Sequence, residues 1–480
     1  MELVFRAENL PPLGFHSYYI SKSNHIYRSK QFKASNDRDI IMGSSKYRVI
    51  LDGKTGKLKS MRLDGVEFPV GQDFYYYKGC EGNNSEAIYR ASGAYIFRPN
   101  GTEPIKINSS PKTVTYKGDL VDEIHVQFSD WVSQVWRFYK KDIYSVELEW
   151  LVGPIPIKDN IGKEIINRYE SELKSKSLFY TDTNGRETLE RKRNFRPTWE
   201  LQPHEPVAGN YYPITSKIAI RDTEKNVEFA ILTDRSQGGS SLKDGQMELM
   251  RMITRGRPAK RWIDKPLNET AYGKGLVAIG KHWLTGGTLG SNGTAAVVEH
   301  DLIQEIALSP WLFFTPAENI TFETWSKKYK MEYTGLTTEL PKNIDILTLE
   351  PWTGRKFLLR LEHKYEKNEN TVYSKPVIVK LRNLFRPFTI MSARETTLGG
   401  NQWLNETHRL QWKAESNEID LESESEEFQE ELYSAFISEE VDNDPLIITI
   451  TPMQIRTFII EIKASDLSNS FYDKDFLMEE

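Results

Sequence analysis

Apolar and polar positions alternate with a period of two along most of the chain. In YSVELEW, Tyr144, Val146, Leu148 and Trp150 fall on one face, with Ser145, Glu147 and Glu149 on the other. That is the pattern of a half-buried strand. KFLLRLEHKY sets Phe357, Leu359 and Leu361 against Leu358, Arg360 and Glu362, and MQIRTFIIEIKA alternates through Phe458, Ile460 and Ile462. YRVILDGKTGKLKSMRLDGVEF reads as strand, turn, strand, turn, punctuated by Gly53, Gly56 and Gly65. No long amphipathic helical stretch competes with these. The pattern therefore predicts a mainly β, predominantly antiparallel protein built from large sandwiches.

Two breaks interrupt it. Residues 1–38 hold two strand-like runs, LVFRAENLP and GFHSYYI, followed by a polar stretch. Two strands do not make a stable unit alone, so 1–38 reads as a tail or the remnant of a small β-domain. A second break falls at Tyr333–Asn343, where a new strand series begins. The run 415–444, ESNEIDLESESEEFQEELYSAFISEEVDND, is an acidic insertion expected as a solvated loop with one short helix.

Bulk properties narrow the class. With 480 residues there is room for two to four domains. A net charge of −5 gives no reason to expect a nucleic-acid partner. No apolar run approaches the roughly 18 residues a spanning helix needs, and MELVFRAENLPPLGFHSYYI lacks the basic-then-apolar pattern of a signal peptide. Seven Asn-x-Ser/Thr acceptors occur, at Asn83, Asn100, Asn108, Asn268, Asn292, Asn319 and Asn405. Roughly three or four would arise by chance at this composition, so their number points toward a lumenal compartment. The single cysteine, Cys80, excludes an intrachain disulfide.

Local catalytic signatures are absent. The eight histidines (16, 25, 125, 204, 282, 300, 363 and 408) never fall within four residues of one another, so no local metal-ligand pair forms. A glycosidase needs two carboxylates about 5–10 Å apart, and sequence cannot choose a pair. Asp182 in FYTDTNGRE and Asp234 in LTDRSQGG follow strand-like runs, yet Asp-x-Asn-Gly is also ordinary turn chemistry. In SGAYIFRPNGT, Tyr95 follows two small residues. It could face a sugar, through its ring and hydroxyl, or sit half-buried in a strand.

Several segments taken together carry a resemblance. SGAYIFRPN, SQVWRFY, LEWLVGPIPI, FYTDTNGRE, RNFRPTW, EPVAGNYYPI, LTDRSQGGSSLKDGQMELM, LRLEH and MQIRTF occur in that order between about residues 3 and 463. They resemble the C-terminal half of the lysosomal α-mannosidases, glycoside hydrolase family 38. The resemblance implies that 39–335 form a large mutarotase-like antiparallel supersandwich and 336–480 a smaller C-terminal β-sandwich. It also implies a zinc-dependent, retaining hydrolase that removes terminal α-mannose from N-glycans in the lysosome or secretory lumen. In the family, zinc and the aspartate nucleophile belong to an N-terminal barrel whose motifs do not occur in this sequence. The implied partners are a mannose-bearing glycan and that N-terminal catalytic half. Homo-oligomerisation is left open, and the chain alone is expected to be inactive. Only Tyr95 carries over as a substrate contact.

The resemblance breaks at 251–266, RMITRGRPAKRWIDKP, where the family has an acidic Asp-Asp-x-Arg-Gly loop. Either a reading-frame slip replaced the loop, as the intact flanks favour, or the loop diverged. Alternatively, the chain is a stand-alone carbohydrate-binding or structural β-protein, or an independent hydrolase using histidines and carboxylates of the supersandwich.

Overall fold

The structure is a computed structural model that describes residues 3–22, 30–32, 38–82, 85–86, 89–93, 96–107, 110–140, 144–202, 204–254, 270–317, 320–408 and 444–464. The described part is mainly β, as the alternation predicts, and its strand pairs are antiparallel. It divides into two compact units, one mostly Lys22–Phe314, the other Ala7–Ser21, Thr315–Lys367 and Thr371–Glu480. The acidic run 415–444 lies outside the described residues except for Asp444, which pairs with Arg382.

The first unit holds two large sheets. A ten-stranded sheet runs, edge to edge, through Glu187–Lys192, Leu178–Thr183, Lys217–Asp222, Val227–Thr233, Ala278–Thr288, Val146–Val152, Val132–Tyr139, Val121–Ser129, Lys112–Lys117 and Lys30–Phe32. A nine-stranded sheet runs through Tyr212–Ile214, Gln237–Ser240, Gln246–Thr254, Lys163–Ser171, Val66–Lys78, Leu58–Leu63, Arg48–Leu51 and Ile40–Gly43. Its remaining strand, Ile105–Lys106, pairs with Val66–Lys78.

The two sheets pack face to face. Phe74 meets Phe128 with ring centroids 5.1 Å apart, and Phe68 meets Phe229 at 5.6 Å. Val146, Leu148 and Trp150 point into this core, as their alternation requires. Trp150 lies so close over Gly280, its register partner, that a Cβ there would sit 2.4 Å from the indole. Burial of each such side chain contributes about 1.5–3 kcal/mol.

The core also contains a file of hydrogen bonds that passes between the sheets. Gln134 Nε2 donates to Gln72 Oε1 (2.9 Å), and Gln72 Nε2 to Asn167 Oδ1 (2.8 Å). Asn167 Nδ2 donates to the Tyr169 hydroxyl (3.3 Å), which lies 3.1 Å from His282 Nδ1. His282 Nε2 lies 3.3 Å from Gln237 Oε1. An amide oxygen only accepts, so Nε2 carries a proton, and in the neutral ring Nδ1 accepts from Tyr169. Gln134 and His282 stand on the ten-stranded sheet, the others on the nine-stranded one, so the file crosses the core three times.

One element departs from the expectation. Ala295–Ala307 is a 13-residue helix laid on the outer face of the ten-stranded sheet. Its buried side includes Ala295, Val298 and the charged Glu299, so an apolar stripe did not announce it. Glu299 Oε2 accepts from Lys217 Nζ at 2.8 Å, with both side chains buried. Burial, then the nearby Glu228, push the Glu299 carboxyl up to about 8 against the pull of Lys217. Burial opposes the Lys217 charge, but Glu299 and Glu228 outweigh it and hold the ammonium above the usual lysine range.

The second unit centres on a four-stranded sheet ordered Ile344–Pro351, Lys356–His363, Ile455–Ala464 and Phe388–Thr396, with a two-stranded sheet of Val377–Lys380 and Ile447–Ile450. Leu359, Leu361, Phe458 and Ile460 fill its core, and Phe357 and Ile462 pack against it. Residues 15–16 pair with 332–333 within this unit.

Two outcomes are expected. Asn167→Leu removes the acceptor of the buried Gln72 Nε2, at about 1–3 kcal/mol, while the Tyr169 hydroxyl keeps His282. It should lower the urea midpoint without changing the m-value. The second concerns pH. A carboxyl raised from 4.5 to about 8 on folding gives full stability below 4.5 and loses it as pH rises toward 8. The chain should therefore melt at a lower temperature at pH 8 than at pH 5, and Glu299→Gln should flatten the slope.

Candidate functional site

Strand alternation gives the nine-stranded sheet a second, outward face. On Lys163–Ser171, Ile165, Asn167 and Tyr169 point to the core, which leaves Glu164, Ile166 and Arg168 on the outer face. On Val66–Lys78, Phe74 points in, and Tyr75 and Tyr77 share the outer face with Ile166. Register places Glu164 beside Tyr77, and Arg168 between Asp73 and Glu248.

An ion pair anchors this face. Arg168 Nη2 lies 2.7 Å from Glu248 Oε2, and Nε donates to the same oxygen at 2.8 Å. Both side chains are buried. Tyr77 and Tyr211 hydroxyls donate to Glu248 Oε1 at 3.0 and 2.6 Å, and Arg168 Nη2 donates to the Tyr77 hydroxyl at 3.0 Å. Burial, then Glu248, raise both phenols far above their ordinary value, so they act as hydrogen-bond donors, not bases. Glu164 is also buried, and burial raises its carboxyl well above the carboxylate range. Its Oε1 has no hydrogen-bond partner. A neutral acid there can donate one hydrogen bond.

Two segments cover the face. Residues 96–99 return alongside 78–80: Cys80 N–H donates to Arg98 O (2.8 Å), Asn100 N–H to Lys78 O (2.7 Å), and Gly79 bridges Pro99. Phe97 packs its ring on Tyr77 (5.9 Å) and Tyr211 (5.1 Å). Arg98 Nε reaches Glu205 Oε1 at 2.7 Å and ties this segment to EPVAGNYYP. There, Asn210 Nδ2 donates to Asn194 Oδ1 (2.7 Å) and Pro206 O (2.8 Å), and Asn194 N–H donates to Asn210 Oδ1 (2.8 Å).

Tyr95 lies outside the described residues. The flanking Gly93 and Ile96 are joined by a two-bond antiparallel bridge (2.7 and 3.0 Å). The loop 251–266 is likewise outside the described side chains. Asp182 is not aimed at a ligand. Its Oδ1 accepts the N–H groups of Thr215, Ser216 and Lys217 at 3.0, 2.9 and 2.8 Å, and its Oδ2 accepts that of Gly185 at 2.7 Å. Asp234 is held by its neighbour Arg235 at 2.7 Å. Asn100, Asn292 and Asn405 are exposed, while Asn83, Asn108, Asn268 and Asn319 lie outside the described residues.

The described histidines have separate surroundings. His125 faces Glu123, His300 faces Glu369, and His363 lies against Asn343 and Lys375 O. Among the described residues, no group of three or more His, Cys, Asp or Glu is placed to hold a metal. They therefore do not fit the zinc that the resemblance implies. Tyr77, Glu164, Arg168, Tyr211 and Glu248 carry no catalytic motif in the sequence. The available signal was charge at alternate positions inside apolar strands, Glu164 and Arg168 in KEIINRY and Glu248 in MELM.

Arg168→Met strands the buried Glu248 charge and should cost about 3–5 kcal/mol. Adding Glu248→Leu should restore part of that loss in urea unfolding. If the double variant were no more stable than Arg168→Met, the pair would not be the anchor of this face.

Residues 42–256 match the glycosyl hydrolases family 38 C-terminal domain, and 343–458 match that family's C-terminal β-sandwich domain, together more than half of the chain. Lysosomal α-mannosidase of Bos taurus is 40% identical over 469 residues, covering 96% of this chain and 43% of that protein. The Homo sapiens protein is 37% identical over 475 residues (96% and 44%), and α-mannosidase of Canavalia ensiformis 35% over 475 (95% and 46%). The chain thus spans less than half the length of these relatives. Among solved structures, a galactose mutarotase-like protein from Lactobacillus casei ATCC 334 has a TM-score of 0.31 at 11% identity, covering 52% of this chain and 100% of that structure. The outer face just described lies within the first matched region, and the core of the second unit falls largely within the other. The chain belongs to glycoside hydrolase family 38, to whose C-terminal domains it corresponds.

Proposed function

We propose that this chain is the β-domain portion of a lysosomal α-mannosidase-like glycoside hydrolase that removes terminal α-D-mannose from N-glycans. The observation that carries this is the match of both family 38 C-terminal domains in order, within an alignment covering 96% of the chain. In such an enzyme a zinc ion would hold sugar oxygens and polarise the reacting centre. Zinc and the nucleophile are proposed to belong to the region of the relatives outside the matched part.

The role left to this chain is to bind and orient. Tyr95, on the segment Phe97 and Arg98 fasten to the outer face, is the proposed sugar contact, supplying ring and hydroxyl. The Arg168–Glu248–Tyr77–Tyr211 cluster is the floor that fixes the segment's position. The proposed setting is the lysosome or secretory lumen, with glycans on some of the seven acceptor asparagines. The domain division at 39–335 and 336–480 belongs to the same proposal.

Purified 1–480 with zinc should not turn over an aryl α-mannoside above a heat-denatured control. Supplied with the remaining region of the bovine relative, it should. In that reconstituted enzyme Tyr95→Phe should lower kcat/KM about tenfold, the worth of one transition-state hydrogen bond. Indifference to Tyr95→Phe would return Tyr95 to the role of a strand aromatic.

A further inference from the structure

Directly after the helix Ala295–Ala307, the sequence LSPWLFFTP leaves regular structure. Four consecutive side chains there are almost fully bare: Trp311 and Phe313 are 86% exposed, Phe314 82% and Leu312 74%. Neighbouring side chains leave a backbone in different directions, so the four together expose more than one side of the segment. An aromatic side chain carries about 150–250 Å². Three of them with a leucine exceed the few hundred Å² of contiguous apolar surface a soluble monomer usually shows.

The backbone is open as well. Among the described residues, none of 309–314 makes a main-chain hydrogen bond. Pro310 and Pro316 bracket the stretch and keep it from joining a helix at either end. Free N–H and C=O groups flanked by large apolar side chains are what strand addition to a partner requires. From 307 to 317, ALSPWLFFTPA carries no charge. The cores of protein interfaces share this character, with aromatic residues enriched and charges depleted.

We infer that residues 308–314 are the docking strip for the region that the α-mannosidase relatives carry outside the matched part, in the same polypeptide or a separate one. This rests on the functional assignment above. More than half of each relative lies outside the match, so a large body of protein accompanies these domains there. Where one polypeptide carries both parts, their effective concentration favours that region over a second copy of the strip. The partner surface is apolar, with an accessible strand edge or backbone groups to pair with 309–314.

The test is co-expression of tagged 1–480 with the unmatched region of the bovine relative. Wild type, Trp311→Ser/Phe313→Ser, and a control at another exposed apolar site, Ile279→Ser, are compared. Far-UV circular dichroism checks the fold, which substitutions at exposed positions should leave intact. Support is co-purification by wild type and the control, with at least a tenfold loss in the double variant. Co-purification undiminished in the double variant overturns the docking strip while leaving the α-mannosidase assignment standing. No association by wild type, and no mannosidase activity from the mixture, overturns both. Sedimentation of 1–480 alone as a dimer that the double variant abolishes would assign the strip to a second copy and overturn the inference.

Discussion

The first unit depends on a one-directional file of hydrogen bonds, Gln134 to Gln72 to Asn167 to Tyr169 to His282 to Gln237, set in an otherwise apolar core. Apolar packing alone tolerates small slides of one sheet over the other, because methyl and aromatic contacts are weakly directional. A buried amide without its partner is not tolerated, at about 1–3 kcal/mol each. Each link between strands therefore fixes that pair in one register; only Asn167 and Tyr169 share a strand. With every donor pointing the same way, the bonds also polarise one another. Two sheets of ten and nine strands can thus be broad without being slippery.

The outer face of the nine-stranded sheet follows from that fixed register. With Asn167 and Tyr169 turned inward, alternation leaves Glu164, Ile166 and Arg168 no choice but to face out. Their polar neighbours are then covered by segments 96–99 and 205–211. Several motifs that carry the family resemblance have structural duties. EPVAGNYYP supplies Asn210 and Tyr211, RNFRPTW supplies Asn194, and MELM supplies Glu248. These residues make hydrogen bonds that hold the fold, quite apart from any contact with a sugar.

This explains what could be read from the residues alone. Alternation in YSVELEW, KFLLRLEHKY and MQIRTFIIEIKA identified strands and their inner faces, since period two is a direct consequence of backbone geometry. The helix Ala295–Ala307 was not legible, because Glu299 occupies a buried position and a hydrogen bond from Lys217 replaces apolar contact. The Arg168–Glu248 pair was hidden for a related reason. Its members are 80 residues apart in sequence and meet only through the pairing of Lys163–Ser171 with Gln246–Thr254. Asp182, conspicuous in FYTDTNGRE, proved to be turn chemistry, one of the two roles open to it.

The Asp182 carboxylate has a consequence of its own. It gathers the main-chain amides of Gly185 and of Thr215, Ser216 and Lys217, from two stretches some thirty residues apart. Moving the side chain to free one stretch disturbs the other, since both are held by the same carboxylate. The corner where Leu178–Thr183 meets the start of Lys217–Asp222 is therefore tied through one carboxylate, and its four amides are expected to exchange with solvent deuterium together.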